Sequence, residues 1–337
     1  MSGESTNIPS RPGISPRFPR IKTYLKYDIF DPELQASEPA SRLQQYATEG
    51  SGFELPLPPE AQNNALLAAF NKYDLVRVVP DLWQVGLAHR RRAIRAALNG
   101  GKGWDSGWDR AVAYHYWSRR VSLAEQHAYY DKDYRKGNTY MGLGSDYALF
   151  RLLSATVRTV AECFVLGWLD WARDLVERVY WPARIEGWPQ IWRWAEDSSV
   201  PEPCRAKYFV LRLVQEQQGW PKCEPPPWAE AEPLFVALLK EWNAPDPQRL
   251  APILLGVCDR HTRPGESNDL LDVEDFYFPF EVLTLLKLRE LHGLQNLEID
   301  HLVMDTPLGK LRPSPPLYTD PLLEGVLKRA MSENPAL

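Results

Sequence analysis

Apolar residues recur at helical spacing along most of this chain, and the apolar–polar alternation typical of strands is almost absent. The clearest segment covers 145–166, where Gly167 follows the last apolar residue. Its apolar residues fall at i, i+3, i+4, i+8, i+11 and i+15, so they share one helix face. They are Leu149, Leu152, Leu153, Val157, Val160 and Phe164.

Glycine, proline and capping residues divide the rest of the chain into further helical segments. Residues 75–79 are the one place where we expect a short strand. Helices are predicted at 60–72, 81–98, 105–136, from Trp168 onward, and at 189–196, 203–218, 228–242, 248–261, 278–291 and 321–331.

A glycine stop followed at once by a new helix, as at Gly167-Trp168, favours an antiparallel helical hairpin. A similar layout returns at 228–261, around a turn that contains Pro245 and Pro247. No strict repeat of roughly 33 to 47 residues accompanies these hairpins. The predicted fold is therefore all-α, an irregular array of antiparallel helical hairpins.

Residues 1–59 are rich in proline, which restricts the backbone and removes hydrogen-bond donors. We expect this segment to be an extended, partly mobile arm, and residues 60–337 to form a single helical domain.

Bulk properties exclude some classes of protein. A net charge of −5 and a pI near 5.8 argue against direct nucleic-acid binding, which usually needs a basic surface. No apolar run is long enough for a membrane span, and the first residues lack the pattern of a secretory signal, so a cytoplasmic location is expected. The four cysteines lack zinc-site spacing, and Cys163 and Cys258 are expected to be buried thiols.

The histidines form no recognised catalytic or metal-ligand motif. Asp300-His301 is the nearest approach to an acid–base pair, and adjacent side chains on extended backbone point to opposite sides. We therefore expect that this protein is not an enzyme and that it binds neither a metal nor another cofactor. An enzyme that uses Asp300, His301 or His292 stays open as a third hypothesis.

Acidic residues concentrate at 259–281, where seven acids and two bases leave a charge equal to that of the whole chain. This stretch is either a solvated loop or a negative surface that matches a basic cleft in a partner. The residues proposed to bind a partner are Glu266, Asp269, Asp272, Glu274 and Asp275, with Trp188 and Trp192 as aromatic anchors.

A basic helix turn is formed by Arg90, Arg91, Arg92 and Arg95, and it is interpreted as solvated or paired with acids inside the protein. The thirteen tryptophans indicate extensive aromatic packing. Five of them are near helical spacing and are predicted to pack the helices together: Trp104, Trp108, Trp117, Trp168 and Trp171.

Residues 277–323 contain Tyr-Phe-Pro-Phe-Glu-Val-Leu, Leu-Arg-Glu-Leu-His-Gly-Leu, Asp-His-Leu-Val-Met-Asp-Thr-Pro-Leu-Gly and Thr-Asp-Pro-Leu-Leu in that order. Together with Leu166-Gly167-Trp168, this segment resembles bacterial immunity proteins of type VI secretion and polymorphic toxin systems. The helical immunity proteins paired with nuclease effectors are the most similar kind.

The resemblance implies a cytoplasmic inhibitor that binds one cognate toxin and performs no chemistry. Inhibition would come from occluding the active cleft of the toxin or from blocking its assembly. The alternative is a helical-repeat scaffold that binds proteins without inhibiting them. The identity of the toxin and the oligomeric state of the inhibitor are left open.

Overall fold

The computed structural model describes residues 40, 43, 74–129, 155–180, 205–221, 232–262, 273–335 and 337. Within these ranges the regular structure is helical and no strand occurs, so the all-α prediction is confirmed. The helices are α1 (Asp74–Leu98), α2 (Trp104–Tyr129), α3 (155–165), α4 (Leu169–Tyr180), α5 (Arg205–Gln215), α6 (Pro233–Glu241), α7 (Ala251–His261), α8 (Phe280–Leu291) and α9 (Pro321–Glu333). Short 3-10 helices cover Pro247–Leu250, Val273–Tyr277 and Pro307–Gly309.

The short strand predicted at 75–79 is wrong, because those residues belong to α1, which continues through Pro80. Valine favours strands mainly because its side chain packs well on the surface of a sheet. Here packing into a helical core decides the conformation instead. Val78 and Leu82, four residues apart and therefore on one helix face, are both buried in the core.

Helices α1 and α2 pack against each other more extensively than any other pair in the described part of the chain. Gly86 lies on α1 where the His115 ring of α2 crosses it. A Cβ atom at Gly86 would lie 2.5 Å from Cδ2 of that ring, so the two helices approach closely because the side chain is absent.

Helix α3 ends at Gly167 in a Schellman motif. Gly167 has φ +76°, its N–H donates to the Phe164 carbonyl at 3.0 Å, and Trp168 N–H donates to the Cys163 carbonyl at 2.9 Å. Helix α4 begins two residues later, so the predicted stop and restart are confirmed. The antiparallel direction of the hairpins stays a prediction, and the arm at 1–59 lies outside the described residues apart from Ala40 and Leu43.

Within the described ranges, one hydrophobic core receives side chains from each of the helices α1 to α9. Trp108, Trp117 and Trp168 are buried in it, and Trp104 and Trp171 pack against it, as predicted. Cys163 and Cys258 are buried free thiols, also as predicted. The boundary between arm and domain at residues 59 and 60 lies outside the described residues.

Residues 311–320 form an extended C-terminal strap without regular structure that leads into α9. Arg312 pairs with Asp109 of α2, and the indole Nε1–H of Trp168 donates to the Pro315 carbonyl at 3.0 Å. The last strap residue, Asp320, caps α9 by accepting from Leu323 N–H at 2.9 Å. The C-terminal segment is thus held against α2 and against the start of α4.

Arg289 of α8 is fully buried, and its guanidinium donates to main-chain carbonyls. Two of these follow α6, at Trp242 and Ala244, and the third follows α8, at Gln295. A cation suits this place because the last carbonyls of a helix lack partners within the helix. Arg289 therefore joins the ends of two helices.

None of the helices in the described ranges combines the length and the hydropathy that crossing a bilayer requires.

Candidate functional site

A set of ionisable side chains, four of them charged, lies inside the molecule where α1, α2, α3 and the 3-10 helix Val273–Tyr277 meet. We call it the central charged cluster. Its members are Arg90, His115, Arg158, Glu162 and Asp275, and each is buried.

Arg90 is the centre of the cluster. One of its nitrogens contacts Glu162 Oε1 and lies 2.9 Å from His115 Nδ1, and another lies 3.9 Å from Asp275 Oδ1. Arg158 donates to the same Asp275 oxygen at 2.7 Å. Two arginines and two carboxylates therefore balance in charge, as buried ions must if their desolvation is to be offset.

Local sequence explains part of this arrangement. Arg158 and Glu162 are four residues apart on α3 and so lie on the same helix face. Arg90 comes from the basic turn of α1. Its neighbour Arg91 donates from Nε to Glu274 Oε1 at 2.6 Å, so Arg90 and Arg91 both pair with acids of the chain, in agreement with the interpretation made from sequence.

His115 supplies an acceptor to this cluster. Burial lowers the pKa of His115 well below its ordinary value, and the positive charge of Arg90 lowers it further. The ring is therefore neutral at physiological pH and accepts from Arg90 through Nδ1.

Glu274 and Asp275 were expected to lie in a solvated acidic loop or on a surface that faces a partner. Their exposed fractions are 5% and 3%, which contradicts that expectation. The Val273–Tyr277 helix packs on α1 and turns Glu274 toward the partly exposed Arg91 and Asp275 toward the buried Arg158. These two residues hold the fold together and present no free charge at the exterior.

The other five residues proposed to bind a partner, Glu266, Asp269, Asp272, Trp188 and Trp192, lie outside the described residues. Their role in binding stays a prediction.

A second buried group adjoins the cluster through Asp275. His261, the last residue of α7, places Nδ1 2.9 Å from Glu281 Oε2 of α8 and Nε2 3.0 Å from the main-chain carbonyl of Asp275. Burial disfavours the charged ring, but the adjacent Glu281 carboxylate outweighs it and raises the pKa of His261. The α7 thiol of Cys258 lies nearby, and burial raises its pKa to about 12, which keeps it protonated and unreactive.

The residues of the enzyme hypothesis do not form one unit. His301 Nε2 lies 3.4 Å from Asp259 Oδ1, whereas the neighbouring Asp300 is exposed. His292 packs edge-on against Trp242, with ring centroids 5.1 Å apart. Within the described residues no group of three His, Cys, Asp or Glu side chains is arranged to hold a metal ion.

An exposed acidic segment follows Arg289. Residues 290–305 contain no lysine or arginine, and the side chains of all four acids, Glu290, Glu298, Asp300 and Asp305, are exposed. Lys287 donates to Glu290 at 2.7 Å, so one of the four carries a counter-ion from outside the segment. Leu291 and Leu302, with exposed fractions of 38% and 59%, lie in the same segment. This surface joins negative charge to apolar side chains.

Sequence reasoning missed both the central charged cluster and this segment. Arg158 and Glu162 could have been found, because they are opposite charges four residues apart among the apolar residues that precede Gly167, and this spacing places them on one helix face. The absence of lysine and arginine from 290–305 was also readable, but the acids at 259–281 are denser and gave the stronger signal.

Comparison of the chain with known protein families, with curated proteins and with solved structures finds no match.

Proposed function

We propose that this protein is an immunity protein that binds a cognate toxic effector, a nuclease, in the cytoplasm and blocks its activity. Residues 277–323, which resemble such inhibitors, cover α8, the acidic segment 290–305, the strap and the start of α9. The observation that carries the proposal is the exposed acidic segment. Nucleases bind polyanions in basic clefts, and a negative protein surface competes for such a cleft.

The exposed leucines give this surface a second means of binding. Charge complementarity mainly sets the association rate and the choice of partner, whereas buried apolar contacts slow dissociation. Leu302 has the largest exposed fraction of the exposed large apolar residues in the described part of the chain. We assign it to the contact with the toxin, beside Glu298 and Asp300.

The first experiment identifies the toxin. Each gene adjacent to the one that encodes this chain is expressed in bacteria with and without the chain, and survival and co-purification are measured. One adjacent product should be lethal alone, tolerated with the chain, and recovered with it as a complex. Binding without rescue would favour the alternative, a scaffold that binds proteins without inhibiting them. If no adjacent product is bound or made tolerable by the chain, the proposal is contradicted.

The second experiment tests the surface. The triple variant E298K, D300K and D305K should bind the purified toxin at least about 100-fold more weakly at moderate salt, mostly through a slower association rate. The matched control E177K, E216K and E333K changes three exposed acids elsewhere and alters the net charge equally. Equal affinities for the two variants in a surface plasmon resonance titration would contradict the assignment of this surface.

A further inference from the structure

His261 is surrounded by hydrogen-bond acceptors on both ring nitrogens. Nδ1 faces the two carboxylate oxygens of Glu281, at 2.9 and 3.2 Å, and Nε2 faces the carbonyl oxygen of Asp275 at 3.0 Å. A carbonyl cannot donate, and an ionised carboxylate cannot donate either. With Glu281 ionised, both contacts are hydrogen bonds only if both ring nitrogens carry a proton.

We propose that His261 is a buried imidazolium that acts as a proton-dependent latch between α7, α8 and the 3-10 helix Val273–Tyr277. The protonated ring joins three segments that are separate in sequence, and losing one proton breaks one of its two hydrogen bonds. This inference concerns the inside of the molecule and does not depend on the proposed toxin.

Several titratable groups surround the His261 ring and influence its protonation. Glu281 approaches from α8, and Asp275 contributes its carbonyl while its carboxylate pairs with Arg158. His301 approaches from the segment after α8, and burial lowers its pKa, with the His261 charge acting in the same direction. On α7 itself, Asp259 faces His301, and the thiol of Cys258 stays neutral.

The position of His261 in its helix supports a positive charge. It is the last residue of α7, and the negative end of the helix dipole favours a positive charge there. The side chain is fully buried, and the ring of Phe280 packs edge-on at 6.1 Å, so water cannot replace either acceptor. The extra proton is thus stabilised by the carboxylate and by the end of the helix.

The latch makes stability depend on pH in one direction. The pKa of His261 is raised in the folded protein above the ordinary value of 6.5, so its contribution is complete below pH 6.5. Above that pH the unfolded chain loses the proton first. The unfolding equilibrium constant then increases about tenfold per pH unit until the folded-state pKa is passed.

Two-bond proton–nitrogen NMR on uniformly ¹⁵N-labelled wild-type protein tests the protonation directly. At pH 6.5 both nitrogens of the ring assigned to His261 should resonate at imidazolium positions, and they should keep those positions to a higher pH than in the urea-unfolded chain. A neutral single tautomer for His261 at that pH would overturn the proposal, whatever any variant does.

Urea denaturation between pH 6 and pH 9 tests the consequence. H261Q keeps one donor but cannot carry charge, so the pH-dependent loss of stability seen in the wild type should be absent. H292Q should follow the wild type. E281Q keeps an acceptor but removes the negative charge, and it should shift the loss toward lower pH. Identical pH profiles for wild type and H261Q would sink the latch.

Discussion

Single buried charges decide more of the stability of this protein than its many surface ion pairs do. Glu162 pairs with Arg90 in the interior, and changing it to glutamine leaves the two arginines of the central charged cluster with one carboxylate between them. We expect E162Q to lower the free energy of unfolding by about 3–5 kcal/mol. Chemical denaturation at pH 7 measures this change.

E177Q is the matched control, because Glu177 forms an exposed pair with Arg173 at 3.0 Å. An exposed pair of this kind contributes less than about 1 kcal/mol. Similar losses for E162Q and E177Q would show that the central charged cluster stabilises the protein no more than an exposed ion pair does.

The residue scale is also where sequence reasoning was least complete. Buried tryptophans and thiols could be predicted from apolar surroundings, as Trp108 and Cys163 show. The buried positions of Glu274 and Asp275 could not be predicted, because their partners lie on α1 and α3, 183 and 117 residues away in sequence. An acidic run has the same appearance in sequence whether it faces water or buried arginines.

At the scale of helices and turns, Gly167 combines two roles that can be separated. Its φ of +76° disfavours any residue with a Cβ, and a Cβ here would also lie 2.8 Å from Ser314 Cβ in the strap. We expect G167A to lower stability by about 1–2 kcal/mol for the backbone alone, with a further loss from the overlap with the strap. Thermal and urea denaturation measure the total.

G293A measures the backbone cost alone, without overlap with the strap. Gly293 has φ +71°, but nothing would lie within 4 Å of its Cβ. The difference between the two variants therefore reports the contact with the strap, and limited proteolysis at 311–320 should increase only in G167A. Equal stability losses without a change in proteolysis would show that Ser314 can move aside.

Helices were predictable because helix signals are local. The stop at Gly167 was readable, and α7, α8 and α9 lie within a few residues of the ranges predicted. The strand at 75–79 failed for the opposite reason. Packing of α1 on α2 is a long-range effect, and it overrides the weak local preference of valine.

At the scale of the whole molecule, the all-α class follows from periodicity, whereas the closure of the C-terminal segment over α2 does not. Asp320 lies about 200 residues from its partners: Arg110 donates to it at 2.6 Å and the Tyr114 hydroxyl at 3.1 Å. Burial opposes ionisation of Asp320, but the hydrogen bond from Leu323 N–H and the charge of Arg110 outweigh it and lower its pKa. No local signal distinguishes this aspartate from an ordinary N-cap.

Two substitutions at Asp320 separate capping from closure. D320N keeps the cap of α9 but removes the negative charge that pairs with Arg110, and we expect it to lower the free energy of unfolding by about 1–2 kcal/mol. D320A removes both the cap and the charge, and we expect a decrease of about 2–4 kcal/mol. D246A removes an exposed cap with no such partner and should cost about 1 kcal/mol.

Because the folded pKa of Asp320 is depressed, its contribution is present above the ordinary value of 3.8 and is lost as pH falls through the folded value. Urea denaturation at pH 7 and at pH 3 should therefore separate wild type from D320N at the higher pH more than at the lower one, and an unchanged gap would show that the charge of Asp320 does not close the strap onto α2.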